Sequence, residues 1–199
     1  MIHRSPSHSR ISWLVAVLCV LVLQGCASDS RLVADKMDPV TSVTISYSQT
    51  PLVFYRDVSG RAAYARDFVH LAPLEVNRSG EYRYYLWLGI WNTMADARSE
   101  QSRDGFESIV IFADGEPLPL DVAGWTVAAV GASEPVYLKP VASAADAYYQ
   151  VSVDELRLIS EAKDVRLQAT GSRSVAYEPW DDQKAGKASL AEFLQRSVY

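Results

Sequence analysis

The chain has 199 residues, 49% of them hydrophobic and 22% charged, which is enough for one ordinary domain with a substantial core. Its formal net charge of −5, with no basic stripe or patch, argues against nucleic acid or anionic lipid as a partner. The two cysteines, Cys19 and Cys26, both lie near the start, so the body of the chain offers no thiol for a disulfide, a zinc-thiolate site or a nucleophile.

Arg4 and Arg10 stand before an apolar run that begins at Ile11, is too short for a comfortable membrane span and ends in small residues, which is the pattern of a secretory signal. Its last four residues, Leu23-Gln24-Gly25-Cys26, resemble the lipobox of bacterial lipoproteins, with Gln24 in place of a more usual residue. The resemblance implies a signal peptide over 1–25, cleavage before Cys26, a diacylglycerol on that cysteine and a further acyl chain on the new amino terminus. Ordinary cleavage after Ala27 is the alternative, because Gly25 and Ala27 also satisfy a small-x-small rule. In the enterobacterial form of this class an Asp after the cysteine favours the inner membrane; Ala27 in that place implies the outer membrane, with the domain facing the periplasm. The only group attached would be this covalent lipid, and no other cofactor is expected. Several acyl chains exceed what stable anchoring needs. Losing Arg4 and Arg10 with the signal makes the remaining chain more acidic by two charges.

Residues 26–40, polar and small with Pro39 near the end, read as the lipidated cysteine and a tether, leaving 41–199 as a single β-rich domain. Thr41 to Ser48 alternates with period two, and Leu52 to Val58 follows as a second strand. Phe68 to Val76 is a weaker strand that Pro73 confines to an edge or bulge. Asn77-Arg78-Ser79-Gly80 turns the chain into Glu81 to Asn92, the strongest strand pattern of all. A polar stretch, Thr93 to Gly105, separates it from Phe106 to Phe112, and Asp114-Gly115 turns toward Pro117. Shorter strands are expected over Tyr137 to Val141 and Tyr148 to Val153. Ser152 with Glu155 forms a capping box ahead of a short helix, Val165 to Ala169 alternates again, and a second capping box, Ser189 with Glu192, opens a C-terminal helix whose Leu190, Phe193 and Leu194 share a face. The fold class expected is mainly β (α+β): an antiparallel β-sandwich-like domain with one or two short helices near the C-terminus, the alternative being an open sheet backed by the helices. The strands lack the sustained lipid-facing alternation of an outer-membrane barrel.

Catalytic motifs are sparse. His70 is the only histidine after the signal, there is no G-x-S-x-G elbow and no H-E-x-x-H, so it reads as a strand residue and no metal site is expected. Asp114 with Glu116 and Asp181 with Asp182 are explained by turn chemistry, and the spacing of a calcium loop is missing. The aromatic cluster from Tyr82 to Trp91 is the one feature that could carry binding. On a strand, Tyr85, Trp87 and Trp91 share a face with Arg83 and Gly89, opposite Tyr84, Leu86, Leu88 and Ile90. That face either lies buried in a doubly covered central strand or lines a groove for a saccharide, acyl chain or peptide, with Gly89 leaving room for close approach. Asp96, Arg98, Glu100, Arg103 and Asp104 make the neighbouring loop a solvated one of mixed charge.

Together these readings point to a non-enzymatic, outer-membrane-anchored envelope lipoprotein that acts as a structural or protein-interaction module, with an envelope protein as partner. The alternative is a ligand-binding module using strand 82–91, and a carboxylate hydrolase comes third for want of a motif.

Overall fold

A computed structural model describes residues 31–58, 65–94, 103–172 and 174–197. Ten strands, β1 Val33–Met37, β2 Thr44–Ser48, β3 Leu52–Asp57, β4 Arg66–Arg78, β5 Glu81–Asn92, β6 Ser108–Ala113, β7 Glu116–Gly124, β8 Ala145–Val151, β9 Val165–Ala169 and β10 Val175–Pro179, carry the domain with helices α1 Val153–Glu161 and α2 Lys184–Ser197. Every pairing is antiparallel, and the order β4-β3-β10-β9-β6-β7-β8-β5 returns to β4, so eight strands close into a barrel. The domain is therefore β-rich, as the pattern predicts, but a barrel in place of the expected sandwich. Alternation along a strand is the same in both architectures, and the β10–β3 pairing that closes the ring joins segments more than half the chain apart, a long-range outcome that local pattern does not encode.

Two hairpin turns are set by local chemistry. Ser79 and Gly80 both have positive φ, and the Gly80 N–H donates to the Asn77 side chain; Asp114 and Gly115 also both have positive φ, and Asp114 Oδ1 accepts from the N–H groups of Lys163 and Asp164. Two successive left-handed residues give a turn whose twist matches that of the flanking strands. The lower half of β4, up to Leu71, pairs with β3, and its upper half, from Leu74, pairs with β2. Pro73, expected at an edge or bulge, stands at the step between them: β4 is paired on both sides, but on one side its partner changes from β3 to β2 where the proline sits.

Inward residues of the strands, among them Phe54, Val69, Leu71, Leu86, Leu88, Ile109, Ile111, Tyr149 and Leu167, form one apolar core with Leu156 and Ile159 of α1 and Leu190, Phe193 and Leu194 of α2. Arg66, Asp121, Arg166 and Glu178 lie at outward strand positions, the reverse of the polar-in, apolar-out order of a membrane barrel. Among the described residues no helix is long and apolar enough to cross a membrane.

Helix α1 begins at the expected capping box, Ser152 with Glu155. Helix α2 begins earlier than Ser189 predicts. Asp182 accepts from the Lys184 N–H at its start, and Ser189 is a fully buried residue inside the helix, hydrogen-bonded to Ser48 Oγ and the Leu32 carbonyl. Its hydroxyl therefore serves packing, and the second capping box does not form.

Three further corrections bear on the candidate site. Val33–Met37, expected within the 26–40 tether, is strand β1, paired with β2, so the folded part begins before residue 41. Tyr137 to Val141 is not a strand but part of an irregular crossover between β7 and β8. β7 and β10 were not expected at all: Pro117 and Pro119 in β7, and a register of only five residues in β10, mask their alternation. Cys26 and the segment 1–30 lie outside the described residues, as do Asp96, Arg98 and Glu100.

Candidate functional site

The three aromatic residues singled out on β5 do share one side of the strand, the outside of the barrel, yet they divide into two environments. Tyr85 and Trp87 are buried, at 4% and 2% exposure, in a second apolar cluster with Val43, Ile45, Leu74, Val76, Val130 and Tyr148. The crossover after β7 lies over this cluster. The Tyr137 ring stacks on the Trp87 indole at 4.3 Å, its hydroxyl donates to the Pro73 carbonyl, and Trp87 Nε1 donates to Asp146 at 3.0 Å. Burial drives the Tyr137 phenol well above its ordinary pKa. Gly89, read as leaving room for a ligand, leaves room for Trp87 instead: a Cβ there would stand 2.5 Å from the indole. The cover is pinned by Asp38, a fully buried carboxylate in the β1–β2 turn that accepts from the N–H groups of Val40, Thr41 and Ser133 and from the Ser133 hydroxyl. The Thr41 and Ser133 N–H groups hold its pKa far below the usual carboxylate range. Lys36 adds an ion pair to Glu134 at 2.8 Å.

Trp91 is different. It is half-buried and stacks on Phe68, its cross-strand partner on β4, at 4.6 Å and 15° between planes. Phe68 in turn meets Trp180 edge-on at 5.2 Å, and Trp180 meets Tyr55 edge-on at 5.1 Å. The Arg66 guanidinium lies over both the Tyr55 and Trp180 rings, at 5.6 and 5.2 Å, while its Nε donates to Asp57. Trp180 is 46% exposed, the most open large aromatic of the group. His70 borders the patch, with its ring edge-on to Trp91 at 5.9 Å, and burial pushes it toward the neutral form. Trp180 follows a strand that sequence reading missed, and Phe68, Tyr55 and Arg66 lie on strands read only for core; Trp180 reaches the other three only through the β10–β3 pairing, for which there is no local signal.

Strand register extends this patch around the barrel. Trp91 is opposite Phe68, Phe68 opposite Tyr55, and Tyr55 opposite Glu178. One step past the last β9–β10 pair, Glu178 faces Arg166 at 3.9 Å, and Arg166 is opposite Phe112. A cavity of about 330 Å³ opens at this end of the row, lined by the outward-facing Phe112, Arg166, Gln168, Ala176 and Glu178 above the core residues Leu167 and Tyr177, with Asp164 beside them. Burial raises the phenol of Tyr177, whose ring packs in the core beside Phe106, to about 12.

Among the described residues no three His, Cys, Asp or Glu side chains converge as metal ligands would. Fold and site together define a small, closed antiparallel barrel with an aromatic patch on its outer face. Comparison of the chain with protein-family models, with curated proteins and with solved structures gave no match.

Proposed function

We propose that the protein is an outer-membrane lipoprotein, anchored through acylated Cys26, whose barrel acts as a non-enzymatic interaction module for an envelope protein. The contact surface is the open patch of Tyr55, Arg66, Trp91 and Trp180. The observation that carries this reading is the exposure of Trp180 within an Arg-supported aromatic cluster, because Trp, Tyr and Arg dominate the energetics of protein contacts. Trp180 packs edge-on against Phe68 and Tyr55, at 69° and 84°, whereas Trp91 lies flat on Phe68 at 15°, so Trp91 and Trp180 share no common plane as a platform for a sugar ring, and this favours a protein partner.

The anchor rests on Leu23, Gly25 and Cys26 in register behind the apolar run. Cys26→Ser should abolish acyl labelling and release or misprocess the protein; unchanged labelling would remove the anchor from the proposal. For the contact surface, Trp180→Ala in the full chain should leave the thermal midpoint in place while a specific envelope protein, captured by crosslinking in intact cells, disappears from the eluate. Capture unaltered by Trp180→Ala and by Arg66→Ala together would overturn it.

A further inference from the structure

We infer that the row from Phe112 to Trp91 is a single track for a linear peptide segment, with the cavity between β6, β9 and β10 seating one large apolar side chain and the acidic rim facing a Lys or Arg beside it. This deepens the proposed function and rests on it for the aromatic end of the track. Three observations lead there. The row is continuous in register across β6, β9, β10, β3, β4 and β5, five steps between neighbouring strands, or about 24 Å along the surface at ~4.8 Å per step. It also wraps six strands of an eight-stranded barrel, so the surface is convex; a flexible extended segment can follow that curve, whereas one rigid globular face meets only part of it.

The cavity itself supplies the chemistry. Its volume of about 330 Å³ stands at the small end of ligand pockets, and the outward side chains of Phe112 and Ala176 give it an apolar lining. At the rim, Arg166 donates to Asp164 at 2.9 Å and stands 3.9 Å from Glu178, so one cation meets two carboxylates and a negative charge is left over. The side chains of Asp164 and Glu178 are each more than half exposed, which leaves both carboxylates open to an incoming cation. An apolar anchor with a basic neighbour is the complement of that arrangement.

Ala176 is exposed in the cavity lining, two residues before the Glu178 that faces Tyr55, so Ala176→Trp fills the cavity while leaving Tyr55, Arg66, Trp91 and Trp180 in place. The test is selection of short random linear peptides, displayed on phage, against the detergent-solubilised full chain. The expected consensus is an aromatic or large aliphatic residue with Lys or Arg within two positions. Synthetic peptides of that consensus should lose about tenfold or more in affinity on Ala176→Trp, on Glu178→Lys and on Trp180→Ala, with thermal midpoints unmoved. Loss on Trp180→Ala with full binding to Ala176→Trp and Glu178→Lys would overturn the cavity's role and leave the aromatic contact surface standing. Loss on Ala176→Trp with full binding to Trp180→Ala would do the reverse. Selection of no consensus, or of one without the apolar–basic pair, overturns the inference outright.

Discussion

Trp87 and Trp91 lie four residues apart on β5 and point to the same side of the sheet, yet Trp87 is 2% exposed and Trp91 is half-buried beside a Trp180 that is 46% exposed. Nothing in the strand distinguishes the two. What differs is the cover. Over Trp87 the crossover brings Tyr137, held by a hydrogen bond to Pro73 and by the turn that Asp38 staples to Ser133. Trp91 instead rests against Phe68 and His70 of β4, with Trp180 meeting the Phe68 ring and Tyr55 beyond it. Both indole N–H groups have an acceptor, Asp146 at 3.0 Å for Trp87 and His70 at 3.4 Å for Trp91, so it is the stacked lid that marks Trp87 as structural, while a half-buried ring with an open edge is available for contact.

The largest expected effect that would break this contrast is on folding. Trp87→Ala removes a fully buried indole and should cost about 3–5 kcal/mol in denaturant unfolding; a small loss would mean that the crossover does not cover the cluster. Asp38→Ala comes next, because it frees the lid from the β1–β2 turn. The folded-state pKa of Asp38 is depressed, so its stabilisation is present at neutral pH and is lost as pH falls below the ordinary carboxylate range. The stability gap between wild type and Asp38→Ala, read from thermal midpoints, should therefore shrink on acidification below about pH 4; a gap independent of pH would remove the carboxylate from this role. Trp91→Ala loses its stack on Phe68 but only partial burial, and should cost about 1–2 kcal/mol. Trp180→Ala should change stability by no more than about 0.5 kcal/mol, the range of surface substitutions. A Trp180 effect as large as that of Trp87 would erase the difference between the two patches.

Much of the fold was legible because hairpins and caps are local. The turns at Asn77–Gly80 and Asp114–Gly115, the alternation of β5 and the Ser152 capping box all depend on residues within a few positions of one another. Barrel closure was not legible, since it depends on β10 reaching β3 across more than half the chain, and β10 contributes only five residues to the pattern. The same reason hid half of the site. Trp91 belongs to the aromatic pattern of β5, whereas its companions Phe68 and Tyr55 come from β4 and β3 and Trp180 from the residue just after β10. Tyr85 and Trp87 carried the same sequence signal as Trp91, and only the irregular crossover, whose Tyr137 was read as part of a strand, separates their fates.

The manner of closure has a bearing on how the chain reaches this state. β10 is the last strand in the sequence, and it is held to β3 by two register pairs, Glu178 with Tyr55 and Pro179 with Phe54, and to β9 by three. Until residues 175–179 are available, β3 and β9 each present a bare edge, and an open sheet with two such edges is an invitation to pair with other chains. Joining them spans a long loop, which makes the step slow compared with the hairpins on either side. While that pairing is absent the ring is open, and the bare edges of β3 and β9 are where another chain can add a strand.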